Sequence, residues 1–246
     1  VSRKRADVLL VERGLFESRA KARAAIEAGG VTADGQAVGK PSDMLGPACV
    51  LEAVAAHRWV GRGALKLLAA LESWPVRVEG RVALDVGAST GGFTEVCLAR
   101  GATRVYAVDV GRGQLHPKLA GDPRVVSLEG LDARALSPAL APEPPGLIVS
   151  DVSFIGLAKA LPEALALAAP GAELVALVKP QFEVGPERVG KGGVVKDEAA
   201  RREALEGVVR FLEAIGWRVL GARESPIVGG DGNREFLLWA SKPIGG

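Results

Sequence analysis

The sequence predicts an α/β protein: a mostly parallel, doubly wound sheet with an antiparallel edge strand, preceded by a small α+β unit. Three observations carry that reading. From Arg62 onward, apolar strand-like runs alternate with stretches of helical periodicity. Gly87-Ala88-Ser89-Thr90-Gly91-Gly92 makes a tight turn between an apolar run, Val82 to Val86, and a helical one, Phe93 to Ala99. The last two strand-like runs, Trp217 to Arg223 and Glu235 to Ala240, follow each other without a helix between them. That places an antiparallel strand at the sheet edge.

Residues 1–55 have a different texture. Arg5 to Glu12 carries Val8, Leu9 and Val11 and stops at Gly14, a helix C-terminal signal. Ser18 can cap a second helix, Arg19 to Ala28, which Gly29-Gly30 closes. Asp34-Gly35 sets a hairpin within Val31 to Val38, and Val50 to Val54 adds a short strand. Arg19, Lys21 and Arg23 cluster at a helix start, where the dipole disfavours cations, so they either solvate or meet an external partner. Residues 56–61 read as a joint. His57 has no second His or Cys nearby to make a metal site, and Trp59 reads as a packing residue or, with Arg58 and Arg62 beside it, a base-stacking platform. In the larger unit, 62–246, a helix over Ala64 to Leu71 precedes strands at 82–86, 105–109, 124–128, 146–150 and 173–178. A further helix spans 197–215, with Leu205, Val208, Val209 and Leu212 at helical spacing.

Composition excludes several classes. The 246 residues are 48% hydrophobic and 24% charged, as in a globular protein with a sizeable core. A net charge of +2 gives no global attraction to nucleic acid, so any such footprint is local. Cys49 and Cys97 lack metal-ligand spacing, and Cys97 falls on an apolar helix face. No metal and no disulfide framework are expected, and a reducing cytoplasm is. Val1-Ser2-Arg3-Lys4-Arg5 lacks the apolar run of a signal peptide, and Leu161 to Val178 is too interrupted to span a membrane.

Ligands of open α/β sheets sit at the carboxyl ends of the strands. There the glycine turn is followed, roughly 20 residues on, by Asp109 at the end of a second strand, the arrangement that holds a nucleoside. Backbone approaches the ligand at the glycines and the acid accepts from ribose hydroxyls. No Gly-Lys-Ser/Thr follows, which argues against a nucleoside triphosphate, and the displaced third glycine weakens a dinucleotide. Polar residues also interrupt apolar surroundings: Asp151 after Leu147-Ile148-Val149-Ser150, Lys179 after Leu174 to Val178, Lys66 between Leu65 and Leu67, and Glu235 before Phe236. A lysine closing a buried strand calls for a carboxylate partner, because an unpaired ammonium is costly to desolvate. Glu183 to Gly193 is a glycine-rich loop directly after Lys179, either a lid or a plain surface loop.

Asp85-x-Gly87-x-x-x-Gly91-Gly92 resembles the S-adenosylmethionine turn of class I methyltransferases. "VERGLFESRAKARAAIEAGGV" resembles the S4 RNA-binding domain. With "VGRGALKL", "SDVSFI", "LVKPQFEVG" and "GNREFLLW" in this order, the whole chain is similar to the haemolysin-A/TlyA-type ribosomal RNA methyltransferases of the FtsJ-like 2′-O-ribose family. That resemblance implies an S4 domain over 1–55 and a Rossmann-like class I methyltransferase domain over 62–246. It implies a catalytic tetrad at Lys66, Asp151, Lys179 and Glu235. It implies S-adenosyl-L-methionine held by Asp85, Gly87, Ala88, Ser89, Gly91, Gly92, Phe93, Asp109, Val110, Asp132 and Asp151, and ribosomal RNA or its subunits engaged by Arg3, Arg5, Arg19, Lys21, Lys40 and Arg62. The expected activity is methylation of a cytidine 2′-oxygen in assembled subunits. A membrane-active haemolysin and a non-catalytic RNA-binding module are the alternatives.

Overall fold

The computed structural model describes residues 3–27, 29–54, 57–229 and 232–244. The expected helix end at Ala28 and the joint residues Ala55 and Ala56 lie outside the described residues. The chain forms two compact units, Val1–Arg62 and Gly63–Gly246.

The first unit runs β1 (Lys4–Arg5), α1 (Ala6–Glu12), α2 (Arg19–Glu27), β2 (Val31–Ala33), β3 (Gln36–Ala37), β4 (Met44–Leu45) and β5 (Leu51–Ala53). Ala6, Leu10, Ala22, Ala25, Ile26 and Val31 form its core. α2 starts where Ser18 Oγ accepts from the Lys21 amide, as its sequence position implies. The hairpin β2–β3 turns at Asp34-Gly35, both at positive φ. Arg5 was expected to open the first helix; instead it ends β1, which pairs antiparallel with β4, and α1 begins at Ala6. Two-residue strands carry no periodicity, so sequence gives no warning of this ladder.

The second unit contains α3 (Gly63–Ser73), β6 (Val82–Val86), α4 (Gly92–Ala99), β7 (Arg104–Asp109), α5 (Pro117–Ala120), β8 (Val125–Glu129), β9 (Leu147–Ser150), α6 (Leu157–Ala160), α7 (Pro162–Leu167), β10 (Glu173–Val178), α8 (Pro180–Glu183), α9 (Glu198–Ala214), β11 (Arg218–Glu224) and β12 (Phe236–Ser241). Its seven-stranded sheet has the order β11-β12-β10-β9-β6-β7-β8. The inner strands are parallel, while β12 runs antiparallel between β10 and β11. The fold is the expected Rossmann-like arrangement, a mostly parallel sheet with an antiparallel edge.

Strand residues alternate between two faces. Leu84, Val86, Tyr106, Val108, Ile148 and Leu174 share a core with Leu161 and Leu165 near α7 and Val208 and Leu212 of α9. Burying each such side chain contributes roughly 1.5–3 kcal/mol. The alternate residues, Asp85 among them, face the side on which α4 lies. The sheet direction puts the carboxyl ends of β6, β7, β9 and β10 along one edge, where Gly87, Asp109, Asp151 and Lys179 fall.

Two glycines shape that edge. At Gly87 φ is +87°, and a Cβ would stand 3.0 Å from Val152 Cα and N. At Gly91 φ is +94°, and a Cβ would meet Leu119 Cδ1 at 2.3 Å. Side chains are excluded at both positions, by conformation and by space together. The backbone after β6 therefore passes directly against the chain leaving β9.

Candidate active site

At the carboxyl ends of β6, β7 and β9 lies a cavity of about 570 Å³, lined among others by Gly87, Ser89, Asp109, Asp132, Asp151 and Ser153. Asp109 Oδ2 accepts from the Ser89 amide at 2.8 Å and Oδ1 from the Gly111 amide at 2.7 Å. Each oxygen keeps a free lone-pair direction with which to accept from a ligand hydroxyl. Glu129, at the end of β8, takes the amides of Gln114 and Leu115 at 2.7 and 2.9 Å, and these bonds hold its carboxyl below the usual range. They fix the loop after β7 that forms one wall. Asp132 lines the cavity, but its carboxylate is forked onto Arg134, whose bond holds it down to about 2.

Beside this cavity two lysines and two carboxylates form two ion pairs. Lys66, one turn into α3, donates to Glu235 Oε2 at 2.5 Å, and both side chains are buried. Lys179 Nζ, at the end of β10, stands 2.7 Å from Asp151 Oδ1. It donates also to Ser153 Oγ at 2.8 Å and to the Asp151 carbonyl at 3.3 Å. Sheet register joins the pairs: Val178 is level with Phe236, so Lys179 and Glu235 stand level one residue further. The arrangement closes at α3. A Cβ on Gly63, its first residue, would lie 3.1 Å from Asp151 Oδ2. Four charges separated widely in sequence thus converge on one sheet edge.

Such a cavity with convergent charges at the end of a parallel sheet has the placement of a ligand site in an open α/β sheet. The FtsJ-like methyltransferase family profile matches residues 59–242. The chain belongs to that family. The S4 domain profile matches residues 4–48. A Mycobacterium tuberculosis protein named 16S/23S rRNA (cytidine-2′-O)-methyltransferase TlyA is 47% identical over 239 residues, covering 96% of this chain and 89% of that protein. Hemolysin A of Brachyspira hyodysenteriae is 38% identical over 234 residues, covering 95% and 98%. The solved structure of a candidate hemolysin from Streptococcus thermophilus has a TM-score of 0.78 at 41% identity, covering 98% of this chain and 89% of that one.

Within the FtsJ-like unit, the expected cofactor residues divide. Gly87, Ser89, Asp109, Val110, Asp132 and Asp151 line the cavity. Asp85, Ala88, Gly91, Gly92 and Phe93 shape the turn beside it. Gly91 and Gly92 start α4 and turn the chain, with Leu119 pressed against Gly91. The Phe93 ring is packed under Gly63, and Ala88 is buried in the turn.

Asp85 is wholly buried, with Oδ2 accepting from Thr94 Oγ1 at 2.7 Å and Oδ1 without a hydrogen-bond partner. Burial drives its carboxyl up to about 7, against the opposing bond from Thr94. Because the folded value lies above the unfolded one, ionising Asp85 disfavours the fold. The loss begins as pH rises past about 4 and is complete above about 7. The expected result is that Asp85→Asn gains stability relative to the parent as pH climbs from 4.5 to 8. Urea unfolding at both pH values measures it, and a pH-independent difference would contradict the assignment. The neighbouring Cys97 thiol is pushed up by the same burial and stays protonated.

Sequence reasoning missed Ser153 and the rest of the chain leaving β9 through Ile155, all of which line the cavity. The signal was present, since these residues extend past a strand's carboxyl end. The glycine-rich loop after Lys179 contains a 3-10 turn over Pro186–Arg188 and is held by Asn233. Asn233 Oδ1 accepts from the Val195 amide at 2.9 Å, and its Nδ2 donates to Gly193 O at 2.8 Å.

In the S4 unit, the expected basic residues have partners that sequence did not reveal. The fully buried Asp7 takes two bonds from Arg5, at 3.0 and 3.1 Å, and one from Arg19 at 2.8 Å. Arg5 above all holds its carboxyl down to about 2. The two guanidiniums are held in place yet remain well exposed. Lys21 pairs with Glu17 at 2.7 Å and Arg62 with Glu27 at 3.5 Å, while Arg3 and Lys40 are exposed. Among the described residues no helix is long and apolar enough to cross a membrane, and no group of His, Cys, Asp and Glu could hold a metal.

Proposed function

We propose that this protein transfers the methyl group of S-adenosyl-L-methionine to a ribose 2′-oxygen of ribosomal RNA, at a cytidine in assembled subunits. The observation that carries the reading is the pair of lysine–carboxylate contacts beside the cavity. The name of the Mycobacterium tuberculosis relative, a 16S/23S rRNA (cytidine-2′-O)-methyltransferase, supports the cytidine and the ribosomal substrate. Arg3, Arg5, Arg19, Lys21, Lys40 and Arg62 are the RNA contacts of the S4 unit, with Asp7 presenting two of them. A cytoplasmic setting follows from the substrate.

The cavity suits the adenosyl part of the donor. Asp109 would accept from its ribose hydroxyls, and the absence of a Cβ at Gly87 leaves room for backbone to meet the ligand. Asp132 and Val110 would flank the base from the opposite wall. When bound, the donor supplies an activated methyl carbon on a sulfonium.

The protein's own task is the oxygen. A ribose hydroxyl is a poor nucleophile until its proton leaves, and Lys179 is placed to accept that proton or to stabilise the oxygen's growing negative charge. Asp151 orients Lys179 from β9. Glu235, bound to Lys66, stands level with Lys179 across the β10–β12 ladder. Positioning of the oxygen against the methyl supplies much of the remaining acceleration.

The test is transfer of labelled methyl to separated small and large ribosomal subunits, followed by alkaline hydrolysis. The expected product is an alkali-resistant dinucleotide containing cytidine, because a methylated 2′-oxygen cannot attack the adjacent phosphate. Label that remains entirely in alkali-released mononucleotides would place the methyl on a base and sink the proposal.

A further inference from the structure

Lys179 is surrounded by three acceptors, and two of them, the carboxylate and the carbonyl of Asp151, can only accept. The third is the hydroxyl of Ser153, 2.8 Å from Nζ and exposed to the cavity. A hydroxyl can turn, accepting from an ammonium or donating to the lone pair of a free amine. No other neighbour of Lys179 among these three can follow the amine through both states.

The surrounding backbone is built around this contact. Phe154, the next residue, sits at φ +68°, a conformation that costs a bulky side chain of order 1–3 kcal/mol. The strained turn is fixed onto α8, the helix that starts immediately after Lys179. Phe154 lies against Phe182 with ring centroids 5.3 Å apart, and Glu183 Oε1 accepts from the Leu157 amide at 2.8 Å. The segment 151–157 is therefore clamped to the Lys179 helix at its start, middle and end. Strain held at a cavity wall by three contacts is a device for aiming a side chain, and the side chain it aims is Ser153.

We propose that Ser153 is a positioning residue for Lys179, holding the amine toward the cavity by accepting from its ammonium and donating to its free-base form. The proposal rests on the reading of Lys179 as the group that handles the ribose proton. In that step the proton passes from the hydroxyl to the amine, and the ammonium that results turns an N–H to Ser153 Oγ. It later returns its proton to water in the cavity. The charged groups that face Lys179 are Asp151 beyond β9, Glu235 before β12 and, through Glu235, Lys66 on α3.

The experiment uses the full chain with ribosomal subunits and compares Ser153→Ala, Ser153→Thr and Lys179→Ala. Ser153→Ala is expected to lower kcat roughly 10-fold, the scale of a lost hydrogen bond to a charged group, with donor affinity unchanged. Its pH–rate profile should move to lower pH on the acid limb, because the ammonium loses an acceptor. Ser153→Thr, which keeps the hydroxyl, should recover most of the rate and the parental limb. A parental kcat and pH profile in Ser153→Ala overturns the proposal, and so does equal loss in both serine variants with an unmoved limb. Turnover that survives Lys179→Ala overturns the underlying reading instead, so the two failures are distinguishable.

Discussion

Lys179→Met is expected to lower methyl transfer by roughly 10²–10⁴-fold, the range for losing a positioned acid–base group, while leaving donor affinity nearly unchanged. The separation follows from geometry. Lys179 projects from the end of β10 onto Asp151 and Ser153, whereas the Asp109 carboxylate and the Gly87 turn belong to β7 and β6. Methionine keeps the unbranched stem that fills the buried part of the site. Asp151 loses its cation at a buried Oδ1 but keeps part of its side chain in solvent, so urea unfolding of the variant should show a stability loss short of unfolding. Calorimetric titration with S-adenosylhomocysteine measures the binding, and single-turnover methyl transfer measures the chemistry. A variant that still turns over at near the parental rate removes Lys179 from the reaction. A variant whose donor affinity collapses with its rate places Lys179 in the cofactor site.

Much of this site was legible because its residues break local patterns. A lysine closing an apolar strand, a carboxylate after Ser150 and a glutamate opening a strand stand out against hydrophobic surroundings. The glycine turn and Asp109 stand out by spacing. Which lysine Glu235 takes is decided by the fold, where β12 inserts antiparallel beside β10 and Glu235 meets Lys66. The bond that Asp85 makes was not legible, since strand alternation brings its buried carboxylate against Thr94 Oγ1 of α4. Asp7 is a second such case: it is buried between Arg5 and Arg19, two well-exposed arginines, and the packing of α1 against α2 brings Arg19 to it.

The pair Lys66–Glu235 allows stability and chemistry to be told apart. Removing one member of a buried ion pair leaves the other charge without compensation, so Lys66→Met and Glu235→Leu should each cost about 3–5 kcal/mol in urea unfolding. Replacing both together removes the uncompensated charge, and the double variant should recover to within about 1 kcal/mol of the parent. Such a cycle isolates the coupling because the partners touch at 2.5 Å and are shielded from solvent. Methyl transfer should not recover with it. If the second ammonium and its carboxylate act on the oxygen chemistry, the restored fold stays slow by at least about 10²-fold. A double variant that regains both stability and rate would reduce the pair to a structural tie between α3 and β12. One that regains stability alone makes the charges, and not the scaffold they hold together, the reason that four distant segments meet at this edge.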